Sequence, residues 1–357
     1  KDLLSDELSS IISKPKEEIL NLLNQKSEFV WLKRNISPKE HQKIIDLGKV
    51  SLRTEHKKED EKNRIYPYGN ISSHVVGYTD LEGKGLSGIE RGLDISLNKG
   101  IDVHLAIDIN LQQAVRKELQ TMIDKFSAES GIAIIMDITN GEIITMNSLP
   151  DFNPNNRKTF TEKNKLNRII GGNYEMGSTF KPITVAMGID KKIINSETSF
   201  DVSKPIKRGK ITINDFHPHK GFFTIKEIVV NSSNIGAAKM ALAVGGSAQR
   251  EFLARLGLLD RAGIELPETA MPHYPSDWKD VNTATIGFGH GVAVSPVHLA
   301  AAIAAVRIGA FGIRAVAARS TAAFVPVVSA RTTTVAIILV RTPGPRVSAR
   351  RRRQRVV

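Results

Sequence analysis

The chain has 357 residues, 41% of them hydrophobic and 24% charged, enough for two or three domains around a sizeable core. It holds no cysteine, which excludes disulfides and thiolate metal sites; the apolar run at residues 335–340 is far too short to span a bilayer. The net charge of +13 is local, because residues 307–357 carry eleven Arg and no Lys, Asp or Glu, leaving 39 basic against 37 acidic residues in 1–306.

Residues 1–50 read as helical. Leu3, Leu4, Leu8, Ile11 and Ile12 recur near helical spacing, a second amphipathic run spans 15–23, and Ser37-Pro38 resembles an N-cap followed by Pro at the first helical position. The chain opens on Lys1 rather than Met, so an upstream segment such as a membrane anchor is expected to be missing. The charge cluster from Lys57 to Lys62 reads as a solvated loop or helix face. From Arg64 the texture becomes turn-rich. Residues 74–78 (His-Val-Val-Gly-Tyr) look strand-like, and the Gly-x-Gly within 82–91 reads as turns, because no strand–loop–helix pattern supports phosphate binding.

Residues 101–107 alternate like a strand. Residues 110–126 read as a long helix with Leu111, Val115, Leu119 and Ile123 on one face. Residues 131–136 form a buried strand, 139–142 a hairpin turn, and 143–146 the partner strand; Asp137 and Glu142 are turn charges. A helix feeding an antiparallel pair implies an α+β fold with helices packed on a sheet.

After a polar loop at 150–165 comes Gly177-Ser-Thr-Phe-Lys-Pro182. Ser178 and Lys181, three apart on a helix, lie on one face about a turn from each other. A serine needs a base to become nucleophilic, and lysine can be that base once burial lowers its pKa. Gly177 permits a sharp entry, and Ile183, Val185, Ala186 and Met187 supply apolar surroundings. Alone, the pair is also what an N-cap serine followed by a solvated lysine gives. Fifty-four residues after Ser178, Ser232-Ser-Asn234 would present a hydroxyl and an amide from one turn, or simply cap the helix that follows. His217-Pro-His219 offers two imidazoles without a third ligand at metal-site spacing, so no metal and no cofactor are expected. Trp31 and Trp278 are too few for a base-stacking platform, and no nucleic-acid partner is expected.

Together, Ser178-x-x-Lys181 and Ser232-x-Asn234 resemble the first two signature motifs of the penicillin-binding proteins. Arg64-x-Tyr-Pro-x-Gly, residues 74–78, and Gly85-Leu-Ser-Gly-Ile-Glu90 are similar to the pedestal of class B members, and the resemblance runs from about residue 40 to 306. Within class B it is nearest to the septal cell-division type. It implies a penicillin-binding/serine β-lactamase-like transpeptidase domain over 101–306, preceded by a non-catalytic pedestal over 1–100 and followed by the Arg-rich segment 307–357. It implies Ser178 as nucleophile, Lys181 as base, Ser232 as proton shuttle, Asn234 as ligand of substrate and lysine, and Gly287 and Gly289 at the substrate. It implies peptidoglycan stem peptides and β-lactams as ligands, cell-division membrane proteins as partners, and an inner-membrane anchor with the catalytic domain in the periplasm.

One departure stands out. No Lys-Thr-Gly follows Asn234, and Arg341-Thr-Pro-Gly344 is a poor substitute because Pro removes a backbone donor. Where the family has that strand, this chain switches from a Lys-preferring body to Arg-only composition, as a segment translated out of frame would. A sheet edge without cover and weak or absent transpeptidase activity are therefore expected. Two other readings are a D,D-carboxypeptidase or β-lactamase-type hydrolase and a non-catalytic divisome scaffold.

Overall fold

The computed structural model describes residues 1–27, 29–33, 36, 38–48, 64–209, 211–309 and 334–341. By contact the chain divides into two units, Lys1–Ile65 and Tyr66–Val357, so that residues 66–100 fall with the second. In the first unit, helices α1 (Asp2–Ile12), α2 (Lys16–Leu23) and α3 (Pro38–Asp46) follow the apolar period. Leu8, Ile12 and Ile19 form the buried centre, with Leu4, Ile11, Leu23, Leu32, Ile44 and Leu47 around them, whereas Leu3 points to solvent. Ser37 and the Lys57–Lys62 cluster lie outside the described residues.

The second unit is built on a sheet. Helix α4 (Ile109–Lys125) starts at Asp108, whose Oδ1 accepts from Asn110 N at 2.9 Å and Leu111 N at 3.0 Å, a cap worth about 1 kcal/mol. Leu119 is buried with Val115 and Ile123 beside it, while Leu111 turns outward. Strands β1 (Ser130–Asp137) and β2 (Ile143–Leu149) pair antiparallel from Gly131↔Leu149 to Met136↔Ile143. Their turn is tied by Asp137 Oδ1, which accepts from Thr139 N at 2.8 Å. Gln112 reaches from α4 to β2: its amide donates to Met146 O at 2.8 Å and its oxygen accepts from Met146 N at 2.8 Å.

The other side of β1 is paired with β3 (Thr334–Arg341), from Thr334↔Asp137 to Arg341↔Ser130, giving the order β3-β1-β2. The edge of β1 is thus covered, and the sheet ends instead at β3 and β2, beside neither of which a further strand is described. A ladder is built from backbone groups, and the Thr, Val and Ile of 334–340 suit a pleated chain whatever the charge of the residues around them. Residues 342–344 and Arg350–Arg353 lie outside the described residues.

Helices α5 (Lys181–Asp190), α6 (Asn234–Val244), α7 (Asp280–Ile286) and α8 (Pro296–Gly309) complete the layer that carries the polar motifs. Helix α8 joins that layer to the sheet. Val297, Ala300 and Ala304 pack with Ile132, Ile134 and Met136 of β1, and Leu299 and Ala302 pack with Ile183 and Met187 of α5. The centre of α6 is small and buried (Ala237, Ala238, Ala241), which brings neighbouring helices close.

Two expected strands are not strands. Ser73–Val76 is a helical turn, and pairing begins only at Tyr78–Thr79, against Gly85–Ser87. Gly77 (φ 82°) lies so near the Ser87 backbone that a Cβ would overlap its carbonyl, so this close approach overrides the strand preference of Val75-Val76. Residues 101–107 run without a ladder; Val103 and Ile107 pack on the core while Ile101 and Leu105 face water.

Buried His74 stacks edge-on against Phe152, and burial lowers its pKa from 6.5 to about 4, against a weak pull from the Pro150 carbonyl. The unfolded chain then binds more protons between pH 4 and 6.5, so this contribution to stability falls as pH drops through that window, by about 2 kcal/mol at pH 5. Urea unfolding at pH 7 and pH 5 is expected to show a smaller acid loss in His74→Gln than in the wild type. Equal losses would remove His74 as the cause.

Candidate active site

Gly177 (φ 54°) opens a 3₁₀ turn, Gly177–Phe180, that feeds directly into α5 and sets Ser178 at the helix start. Helical spacing then brings the next-turn amine back: Lys181 Nζ lies 3.1 Å from Ser178 Oγ. The lysine is 1% exposed and counts among the largest fully buried side chains. The same amine is 2.6 Å from Ser232 O, 2.8 Å from Ser232 Oγ and 2.9 Å from Asn234 Oδ1. The Ser232 and Ser178 hydroxyl oxygens are 2.8 Å apart. Ser178, Ser232 and Asn234, expected together with Lys181 from sequence, are therefore gathered around its amine.

The partner types matter. Ser232 O and Asn234 Oδ1 can only accept, while the two hydroxyls can also donate. A neutral amine has two N–H bonds and one lone pair. If both N–H bonds go to the two acceptor-only oxygens, the lone pair is left for a hydroxyl, either Ser178 or Ser232. Burial drives the lysine toward that neutral form and lowers its pKa from 10.5 to about 8, against an upward pull from the Asp215 carboxylate. Ser232 itself sits at φ 55°, in the left-handed region, which turns its hydroxyl and carbonyl together onto the amine.

The glycines lie beside this frame rather than in it. Gly287 O accepts from Thr184 Oγ1 at 2.8 Å, and Gly287 packs on Ala237 and Ala241 of α6. Gly289 (φ 86°) accepts from Gly177 N at 3.1 Å, and a Cβ there would overlap the Gly177 backbone. His217 meets the Phe216 ring edge-on and His219 tilts against Phe223.

Sequence reasoning passed over two residues, one that touches the frame and one that holds the turn beside it. Glu175 holds the Gly-rich turn: its Oε1 accepts from Gly291 N at 2.7 Å and its Oε2 lies 3.2 Å from His290 Nδ1. Asp215 accepts at the foot of the 232–234 turn. An acidic residue three before the serine motif was visible for Glu175. Nothing local marks Asp215, which stands 19 residues from Asn234.

Residues 131–310, half of the chain, match the family described as the penicillin binding protein transpeptidase domain. Over 320 residues the chain is 30% identical to the peptidoglycan D,D-transpeptidase FtsI of Escherichia coli K12, covering 81% of this chain and 53% of that protein. Over 273 residues it is 36% identical to a Caulobacter vibrioides protein named "Probable peptidoglycan D,D-transpeptidase FtsI", covering 75% and 46%. The chain thus spans about half the length of these curated relatives. A solved structure from Atopobium parvulum DSM 20469 superposes with a TM-score of 0.64 at 23% identity, over 69% of this chain and 62% of that one, a likeness of fold.

Proposed function

The chain belongs to the penicillin-binding protein transpeptidase family, and from that membership we propose that its polar frame forms an acyl-serine in peptidoglycan crosslinking during cell division. Ser178 Oγ attacks the penultimate D-Ala carbonyl of a stem peptide, and Lys181 Nζ takes the hydroxyl proton. As the C–N bond breaks, Ser232 passes a proton to the departing D-Ala amine. An amine of a neighbouring stem then attacks the acyl carbon, and Ser178 leaves with its proton restored. Asn234 holds the lysine and the substrate amide, and the turn at Gly287 and Gly289 borders the substrate. β-Lactams acylate the same serine. The observation that carries this reading is the single amine shared by both hydroxyls and the Asn234 amide.

The absence of Lys-Thr-Gly after Asn234 removes a strand that would meet the substrate, so acylation in this chain is slow. Residues 1–100 serve as a non-catalytic pedestal facing cell-division membrane proteins, and the catalytic part works in the periplasm beside the inner membrane. Among the described residues no helix is long and apolar enough to cross a membrane.

The test is labelling of the purified chain with a fluorescent penicillin. Slow covalent label is expected on the wild type and none on Ser178→Ala. The rate rises about tenfold from pH 7 to pH 9, because an amine with a pKa near 8 goes from mostly protonated to mostly neutral. A rate matching a relative that has all three motifs overturns the deficiency. No label on a folded chain overturns the acylation and favours the scaffold reading.

A further inference from the structure

Asp215 lies in the loop between the strand Ile211–Ile213 and Phe222–Thr224, outside both motifs. Its carboxylate collects three donors from the start of α6. Oδ1 accepts from Asn234 N at 2.5 Å and Ile235 N at 2.9 Å, and Oδ2 accepts from Ser233 Oγ at 2.7 Å. Ser233 is fully buried and its Oγ in turn accepts from Gly236 N at 2.9 Å. The adjoining Asn214 carbonyl accepts from Asn234 Nδ2 at 3.2 Å, which fixes the amide so that Oδ1 faces the lysine.

We propose that Asp215 is a positioning residue: by clamping the first turn of α6 it holds Ser232 and Asn234 on the Lys181 amine. This rests on the acyl-serine reading for its role in the reaction, but not for its geometry. Without the clamp, the left-handed Ser232 is free to relax toward ordinary backbone angles, and its carbonyl and hydroxyl leave the amine together.

The clamp also carries charge. The groups that meet the amine from the Gly177–Phe180 turn and from residues 232–234 are hydroxyls, a carbonyl and an amide, whereas the charge acting on it is that of Asp215. The carboxylate therefore opposes burial and keeps the lysine a stronger base than its setting alone would allow.

Asp215→Asn separates the two effects. An Asn oxygen can still accept from Asn234 N and Ile235 N, and its amide can donate to Ser233 Oγ, so the turn stays clamped while the charge is gone. The Lys181 titration is read by NMR of protein labelled with 13C-lysine, the signal being the one lost in Lys181→Arg. The wild-type midpoint is expected near pH 8, shifted to lower pH in Asp215→Asn, and unmoved in Ser233→Ala, which trims the clamp without removing charge. An Asp215→Asn midpoint equal to wild type overturns the electrostatic part. Penicillin labelling reads the positioning part: Asp215→Ala should slow it at least about tenfold, with partial rescue in Asp215→Asn. Wild-type labelling in Asp215→Ala overturns it. A chain that takes no label yet shows the shifted midpoint sinks the acyl-serine reading and leaves the placement of the amine standing.

Discussion

Lys181→Met is expected to slow acylation of Ser178 by about 10²–10⁴-fold, the range of a lost general base. Methionine has nearly the same length as the buried lysine stem and would fill the same space, so the packing survives while the amine does not. Two effects on stability oppose each other. Removing a buried amine relieves its desolvation, whereas Ser232 O and Asn234 Oδ1 lose a donor. Ser232 is exposed and Asn234 half-buried, so water can replace the amine at both. The melting temperature should therefore move by only a few degrees. Single-turnover labelling beside thermal melts checks both halves. A labelling rate within tenfold of wild type would mean that another group takes the serine proton.

Gly289→Ala should damage both fold and site. Position 289 has φ 86°, and an added methyl would overlap the carbonyl and amide of Gly177, the residue just before Ser178. The hydrogen bond from Gly177 N to Gly289 O must then lengthen or break. Strain plus this clash should cost on the order of 3 kcal/mol, and an ångström of displacement at Ser178 about 10²-fold in acylation. Gly141→Ala is the control. That glycine has φ 82° with open space around it, so it tests backbone angle without collision. The control should lose roughly 1 kcal/mol and label normally. Comparable losses at the two positions would show that the Gly289–Gly177 contact does not set the nucleophile.

Lys181 and the three polar residues around its amine were legible because helical spacing alone fixes where Lys181 sits relative to Ser178, and because a Ser-x-Asn turn has few uses beside another serine and a lysine. The hairpin of β1 and β2 was legible for a similar local reason: an apolar run, a turn with Asn-Gly, and a second apolar run. What escaped depends on contacts between distant segments. Asp215 gains its meaning only from the first turn of α6. His74-Val-Val reads as strand until Gly77 is seen against Ser87, and Ile101 to Ile107 alternates correctly but finds no neighbouring backbone to pair with. The Arg-only composition of 307–357 carries no signal for the pairing of β3 with β1, because main-chain groups make that ladder and are indifferent to composition.

The left-handed backbone of Ser232 sets stability and chemistry at odds within one residue. Glycine would rest in that conformation more easily, and asparagine also tolerates it, but neither carries a hydroxyl to share with Ser178. A directed-evolution campaign that rewarded heat resistance alone would drift toward one of them, yielding robust clones that lack the hydroxyl to which the proposed mechanism assigns the proton relay.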